Sequence, residues 1–192
     1  INIEKYGLFF TFFCFLVFLN AFNMFDGINL QASLYSIIIF FFILFSYINS
    51  YLFKILLIFL IYFSYLNYKN KSFLGDSGSL LISFLISYIF IKLYNIGQIK
   101  YADEIFIFMM VPGIDLIRVF FKRLINNENP LRPDRTHLHH LLSLKFTYLK
   151  SIIIIQLMII TPIILSYLNI NKLFIIFATV LYYSVIIYKI NK

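Results

Sequence analysis

The chain has 192 residues, of which 62% are apolar and 12% charged, with a formal net charge of +8. A water-soluble domain carries about 45–50% apolar and 25% charged residues, so this balance excludes a soluble enzyme and a disordered chain. The single cysteine, Cys14, lies in an apolar run, which excludes a disulfide scaffold.

Polar residues divide the sequence into about seven apolar stretches, over 6–22, 34–49, 51–66, 80–92, 105–121, 151–168 and 173–188. A spanning helix needs roughly 17–25 residues, so each reads as a candidate span. The expected fold is all-α: a polytopic integral membrane helical bundle of about seven transmembrane helices, forming one domain over 1–192. The first stretch leads into further spans with no small-residue cleavage pattern, so it reads as a span rather than a signal peptide. Ser151 and the isoleucines at 152–155 favour a strand in water. In lipid only helices and closed barrels satisfy the backbone, and no alternating barrel pattern is present. Spans two and three, and the last two, are joined by short turns and read as helical hairpins.

An odd number of spans puts the chain ends on opposite sides. One set of loops holds Lys69, Lys71, Lys122, Arg123, Arg132, Arg135, Lys145, Lys150, Lys189 and Lys192; the other holds only Lys5, Lys54, Lys92, Lys100 and Lys172. The positive-inside rule makes the first set cytoplasmic. The 25 Phe and 15 Tyr residues read as lipid-facing bulk and packing, and nucleic acid is not an expected partner.

Three polar segments, 20–29, 71–79 and 129–140, interrupt the apolar background, and this topology puts all three on the cytoplasmic side. In the first, Asn20, Asn23 and Asp26 recur at spacing three, which gathers them at a helix end before Gly27. Their oxygens suit Mg²⁺ or a polar substrate; a capping role would use only one of them. The second places Asp76 just ahead of a helix beginning near Ser77 or Gly78, where free N–H groups could receive phosphate while Asp76 holds a metal. An ordinary N-cap explains the same Gly-Asp-Ser-Gly turn, and Lys71 tilts the balance toward an anion site. The third combines Arg132, Asp134 and Arg135 with His137, His139 and His140. Forked guanidinium donors favour nucleotide or pyrophosphate binding. A zinc site is disfavoured by the spacing and by the neighbouring arginines, and lipid anchoring does not require three histidines. Asp115 and Arg118, at spacing three inside the fifth span, are expected to neutralise one another and fix the bend at Pro112 and Gly113. Asp103 and Glu104 are expected to be solvated on the outer side.

Taken in order, these segments resemble the polyprenyl-phosphate N-acetylhexosamine-1-phosphate transferases, the integral-membrane family of WecA-type and MraY-type enzymes. Asn20-x-x-Asn23-x-x-Asp26-Gly27 is similar to the family's first-half signature. Phe73-x-Gly75-Asp76-x-Gly78-Ser79 is similar to its metal-site signature, and Asp134-Arg135-x-His137-Leu138-His139-His140 to its last cytoplasmic loop. The resemblance implies a bacterial inner-membrane enzyme with a cytoplasmic site. It would transfer a sugar-1-phosphate, most simply GlcNAc-1-phosphate, from a UDP-sugar to undecaprenyl phosphate and release UMP. It further implies Mg²⁺ as cofactor, which Mn²⁺ can replace, and allows a homodimer. Family roles make Asn23 and Asp76 metal ligands and put Asp26, Asp76 and His140 in catalysis. The same roles put Asn20, Asn29, Lys71, Arg132, Arg135, His137, His139 and His140 on the nucleotide-sugar phosphates. His-Leu-His-His after Asp-Arg resembles the UDP-N-acetylhexosamine branch more than the phospho-MurNAc-pentapeptide branch, which has three consecutive histidines.

The sequence departs from the family at Asn29, where many relatives carry an acid, and at Leu30, where they carry glycine. The family's adjacent-acid loop has no counterpart here, so the resemblance implies further spans ahead of Ile1. A non-catalytic scaffold that keeps the fold is the competing reading. A transporter ranks lower, because the polar residues cluster at one face rather than at midplane.

Overall fold

A computed structural model describes residues 7–47, 50–129, 136–168 and 170–192. Among them the chain is helical throughout: α1 (Gly7–Phe25), α2 (Gln31–Ser46), α3 (Tyr51–Tyr68), α4 (Gly75–Asn95), α5 (Ala102–Ile125), α6 (Leu138–Lys145), α7 (Tyr148–Tyr167) and α8 (Lys172–Asn191). Seven long helices coincide with the seven expected spans. Five of them, α1, α3, α4, α7 and α8, are long and apolar enough to cross a membrane. Of the other two, α2 has 16 residues, and α5 carries Asp103, Glu104, Asp115, Arg118, Lys122 and Arg123.

The expected boundaries were drawn at charged and polar residues, and the helices run past them. Asp103 and Glu104 occupy the first turn of α5 and Lys122 and Arg123 its last, where each sign opposes the helix dipole. Likewise α4 starts at Gly75 rather than near Ser77, so Asp76 sits inside its first turn. Short α6 was not anticipated.

Helix α1 packs on α4 and α5, α2 on α3 and α7, and α5 on α7 and α8, while α6 lies against α7 and α8. The core is built from Phe22, Tyr35, Ile39, Phe40, Ile86 and Phe90, all fully buried or nearly so. The Phe22 and Phe25 rings meet Tyr35 edge-on at 5.5 and 5.7 Å, the geometry that aromatic quadrupoles prefer. Buried hydroxyls are returned to their own helices: Ser36, Ser64 and Thr179 each donate to the carbonyl four residues earlier. Many other large apolar side chains, among them Leu8, Phe9, Phe45 and Leu52, remain exposed, as lipid-facing residues should. A bundle whose apolar surface faces outward on this scale is a polytopic helical membrane protein.

Contacts between helix ends sort the bundle into two faces. At one, Asn23 meets Asp76, Asn29 meets Asn70 and Tyr148, and Lys145 meets the Lys189 carbonyl. At the other, Ser46 meets Tyr167, and Lys172 meets Glu104 and, at 3.8 Å, Asp103. The two acids expected to be solvated are instead an anchor that ties the start of α5 to the start of α8. Lys172 is long enough to bridge the helix starts and takes both acids, while the Tyr101 ring lies 4.8 Å from its ammonium.

Candidate active site at one end of the bundle

The polar segments 20–29 and 71–79 meet at the first of these faces, joined by the described part of the third. At the end of α1, the Asn23 amide donates to Asp76 Oδ1 at 3.2 Å and to Ser79 Oγ at 2.8 Å. Asp76 is exposed and Ser79 buried, so Asn23 bridges the rim and the interior of the α4 N-terminus. Asp26 follows α1 directly. Partial burial, reinforced by the neighbouring Asp76 carboxylate, pushes its pKa up to about 6. Two carboxylates close enough to oppose each other's ionisation form a place where a cation, or a proton, is favoured.

His139 reaches the same place from α6. It is 1% exposed, and its ring lies so close to Gly27 that a Cβ there would stand 1.8 Å from Nε2. Only glycine at 27 admits this contact. Burial, followed by the neighbouring His140, pushes the His139 pKa down to about 3, so the ring is neutral at physiological pH. Among the described residues neither ring nitrogen has a hydrogen-bond partner. The His137 ring lies parallel to it at 5.9 Å, and the His140 ring lies 4.1 Å away, tilted by 52°.

Beside this cluster Asn29, Tyr68, Asn70 and Tyr148 line a polar hollow of about 330 Å³. Asn29 donates to Asn70 Oδ1 at 2.5 Å, Tyr148 donates to the Asn29 carbonyl at 2.7 Å, and the Leu30 N–H donates to Asn67 Oδ1 at 2.6 Å. Asn67 in turn donates to the Ser72 carbonyl at 2.8 Å, tying the turn that leads to Asp76. Leu30 sits at φ 68, a region that glycine enters most readily, and its bonded N–H holds that left-handed conformation in place.

Of the expected site residues, Asn23, Asp26, Asn29, Asp76, His139 and His140 are brought to this end. Asn20 is not joined to them. Its amide donates back to the Leu16 carbonyl at 2.8 Å on an exposed face, because spacing three rotates a side chain by about 300° and the helix carries Asn20 past the cluster. Lys71 is exposed in the preceding turn, and among the described residues no hydrogen bond or ion pair joins its ammonium to Asp76. His137 is turned inward: its Nδ1 lies 2.8 Å from Asp115 Oδ2. The Asp115–Arg118 pair forms as expected, at 2.8 Å, but it also holds His137, which the sequence alone did not indicate. Arg132, Asp134 and Arg135 lie outside the described residues. Sequence reasoning missed Asn67, Asn70 and Tyr148. The two asparagines repeat the spacing of three that singled out Asn20 and Asn23, whereas Tyr148 carries no local signal.

Among the described residues, then, the molecule is a multi-pass membrane protein whose carboxylate, amide and imidazole groups converge at one end of its helices. Residues 1–94 match the family described as Glycosyl transferase family 4. The match covers just under half of the chain and includes both Asp26 and Asp76. Over 75 residues, 38% of this chain and 21% of the relative, it is 37% identical to the undecaprenyl-phosphate alpha-N-acetylglucosaminyl 1-phosphate transferase of Pasteurella multocida. The proteins of the same name from Haemophilus influenzae and Thermotoga maritima are 35% identical over 75 residues and 33% over 85, covering 38% and 44% of this chain. The matching stretch thus spans between 21% and 28% of the length of these relatives. No solved structure matches the chain.

Proposed function

We propose that the protein takes part in transfer of N-acetylglucosamine-1-phosphate from a UDP-sugar to undecaprenyl phosphate, at the cytoplasmic face of a bacterial inner membrane. In this reaction a phosphate oxygen of the lipid attacks the sugar-bearing phosphorus, the bond from that phosphorus to the bridging oxygen breaks, and UMP leaves with that oxygen. The observation that carries the reading is the convergence of Asp26 and Asp76 with the imidazole row on Gly27, at one end of a lipid-facing bundle. A lipid acceptor requires such a site, since its phosphate lies at the membrane surface while its chain stays in the hydrocarbon.

The donor set fits Mg²⁺. Among the described residues no group of three or more His, Cys, Asp and Glu could hold a metal. That disfavours a cage built from protein alone, whereas Mg²⁺ keeps waters and substrate phosphates around one or two carboxylates. Asp76, with Asp26 beside it, would hold the ion. Asn23 turns its nitrogen to Asp76 and Ser79, so its ligation would use Oδ1. When bound, the cation would neutralise charge on the pyrophosphate. The chain's own groups do the rest. Asp26, ionised above about pH 6, holds negative charge beside Asp76. The neutral His139 ring packs on Gly27, next to Asp26, and so seats this end of α6 at the carboxylates. Asn29, Asn70 and Tyr148 line the hollow beside these groups, where amide donors and acceptors suit a nucleoside or sugar. Arg132 and Arg135 are assigned to the phosphates on the family resemblance. Phosphoryl transfer depends on this kind of positioning and charge stabilisation more than on covalent chemistry.

The test is direct. The protein in membranes or mild detergent is given Mg²⁺, UDP-N-acetylglucosamine and undecaprenyl phosphate, and UMP and lipid-linked sugar are measured. Transfer dependent on all three supports the reading. No release of UMP with this donor or with other UDP-N-acetylhexosamines overturns it.

A further inference from the structure

Asp115 is buried, 3% exposed, in the middle of α5. Four donors reach it: Arg118 Nη2 at 2.8 Å, the Tyr183 hydroxyl at 2.6 Å, the Leu138 N–H at 3.1 Å and His137 Nδ1 at 2.8 Å. A carboxylate offers roughly four acceptor sites, so this one is filled. Arg118 adds two further bonds at 2.6 Å, from Nε to the Tyr183 oxygen and from Nη2 to the Thr136 carbonyl. Strands of the network thus come from α5, from α8 and from the segment that leads into α6.

The network explains why α6 begins where it does. His137 is its N-cap residue, yet its side chain makes no capping bond. An α-helix leaves its first N–H groups without partners inside the helix, and here Asp115 takes that of Leu138 from across the bundle. The Asp115 carboxylate also lies at the positive end of the α6 dipole. Since the ionised Asp115 only accepts, the His137 contact requires the proton on Nδ1, which fixes both the tautomer and the plane of that ring. The His139 ring is parallel to it within 1° and lies against Gly27, the neighbour of Asp26.

A buried charge is a costly way to gain stability, because apolar packing of similar volume stabilises as well or better. What an ionic latch adds is register. We propose that Asp115 is a positioning residue: through His137 and the α6 N-terminus, it seats the imidazole row on Gly27 beside the Asp26 and Asp76 carboxylates. Tyr183 and Arg118 hold Asp115 in the orientation that does this. The role in catalysis rests on the transferase reading; the seating of the loop does not.

The experiment uses the full chain in detergent micelles or nanodiscs and reads two quantities. Hydrogen exchange of peptides over 136–145 and over α1 to α4 reports where protection is lost. Steady-state UMP release reports kcat and KM. In Asp115→Ala the Leu138 amide should exchange at least about tenfold faster while α1 to α4 keep their protection. Tyr183→Phe, which removes a single hydroxyl, should shift exchange in the same peptide by a smaller factor and so serves if Asp115→Ala does not fold. Turnover should fall by about 10²-fold in kcat with KM changed much less, the signature of misplaced groups. Adding His137→Ala to Asp115→Ala should cost less than a further twofold, because both act through one latch. Exchange that is unchanged, or that rises equally in α1 to α4, overturns the proposal, as do losses that multiply in the double variant. If the wild-type chain shows no transfer while the exchange result holds, the transferase reading falls and the latch stands.

Discussion

The Tyr35 hydroxyl donates to the Phe108 carbonyl at 2.8 Å, and both residues are buried in the bundle. Phe108 lies four residues before Pro112, which has no N–H to return to it. In water such a carbonyl would be solvated; inside a membrane bundle a neighbouring helix must supply the donor, and α2 does so. Tyr35→Phe removes only the oxygen. It should cost about 1 kcal/mol of stability, the usual worth of a hydrogen bond between membrane helices, read as a lower melting temperature in detergent. Adding Pro112→Ala should largely cancel that loss, since the carbonyl regains its own helical partner.

Gly27→Ala should fail through collision rather than through backbone strain, because its Cβ would stand inside the His139 ring. Overpacking of this kind costs about 1–3 kcal/mol. His139→Ala in the same chain should restore the melting temperature but not UMP release. Recovery of both would remove His139 from the site.

Asp26 gives a pH dependence with a definite sign. Its folded pKa, about 6, is above the ordinary carboxylate value. The stability it contributes is therefore present below about pH 4 and lost as pH rises through about 6. His139 acts in the opposite sense: its folded pKa is depressed to about 3, so its contribution is present above about pH 6.5 and lost as pH falls through 3. The two overlap, so the informative quantity is a difference between proteins. In the absence of divalent cations, the melting temperature of Asp26→Asn minus that of the wild type should rise between pH 4 and 6 and level off above. A flat difference would mean that neither burial nor Asp76 raises the Asp26 pKa.

Asp76→Ala should lower UMP release by at least about 10²-fold while leaving insertion into the membrane intact. Mn²⁺ bound to the purified variant, followed by electron paramagnetic resonance, should weaken in parallel. Asn23→Ala should have a smaller effect on Mn²⁺, since Asn23 shares its amide between Asp76 and Ser79.

What the sequence made legible was whatever depends on local pattern and parity. Apolar length announced the long helices, and the two spans between them put segments 20–29 and 71–79 on one side, where Asn23 and Asp76 do meet. The Asp115–Arg118 pair followed from its spacing. What stayed hidden was decided by partners distant in sequence. Tyr183 is 68 residues from Asp115, and nothing near either names the other. His137 read as a phosphate ligand because its buried acceptor lies 22 residues back on α5. Asn20 shared a spacing with Asn23 but not a neighbour, since a helical face drifts around its axis and the Leu16 carbonyl was nearer. Helix starts were misplaced wherever an acid was taken as an end, as at Asp76 in α4.

The Asp115 latch also orders events during synthesis. Both carboxylates of the site lie within residues 1–94, the segment that matches the family model, and their helices leave the ribosome before α5 to α8. The hydroxyl that completes the latch is on α8, which is made after α1 to α7. A nascent chain can therefore bring Asp26 and Asp76 together well before the histidines have a fixed seat, and the latched arrangement appears only when α8 docks.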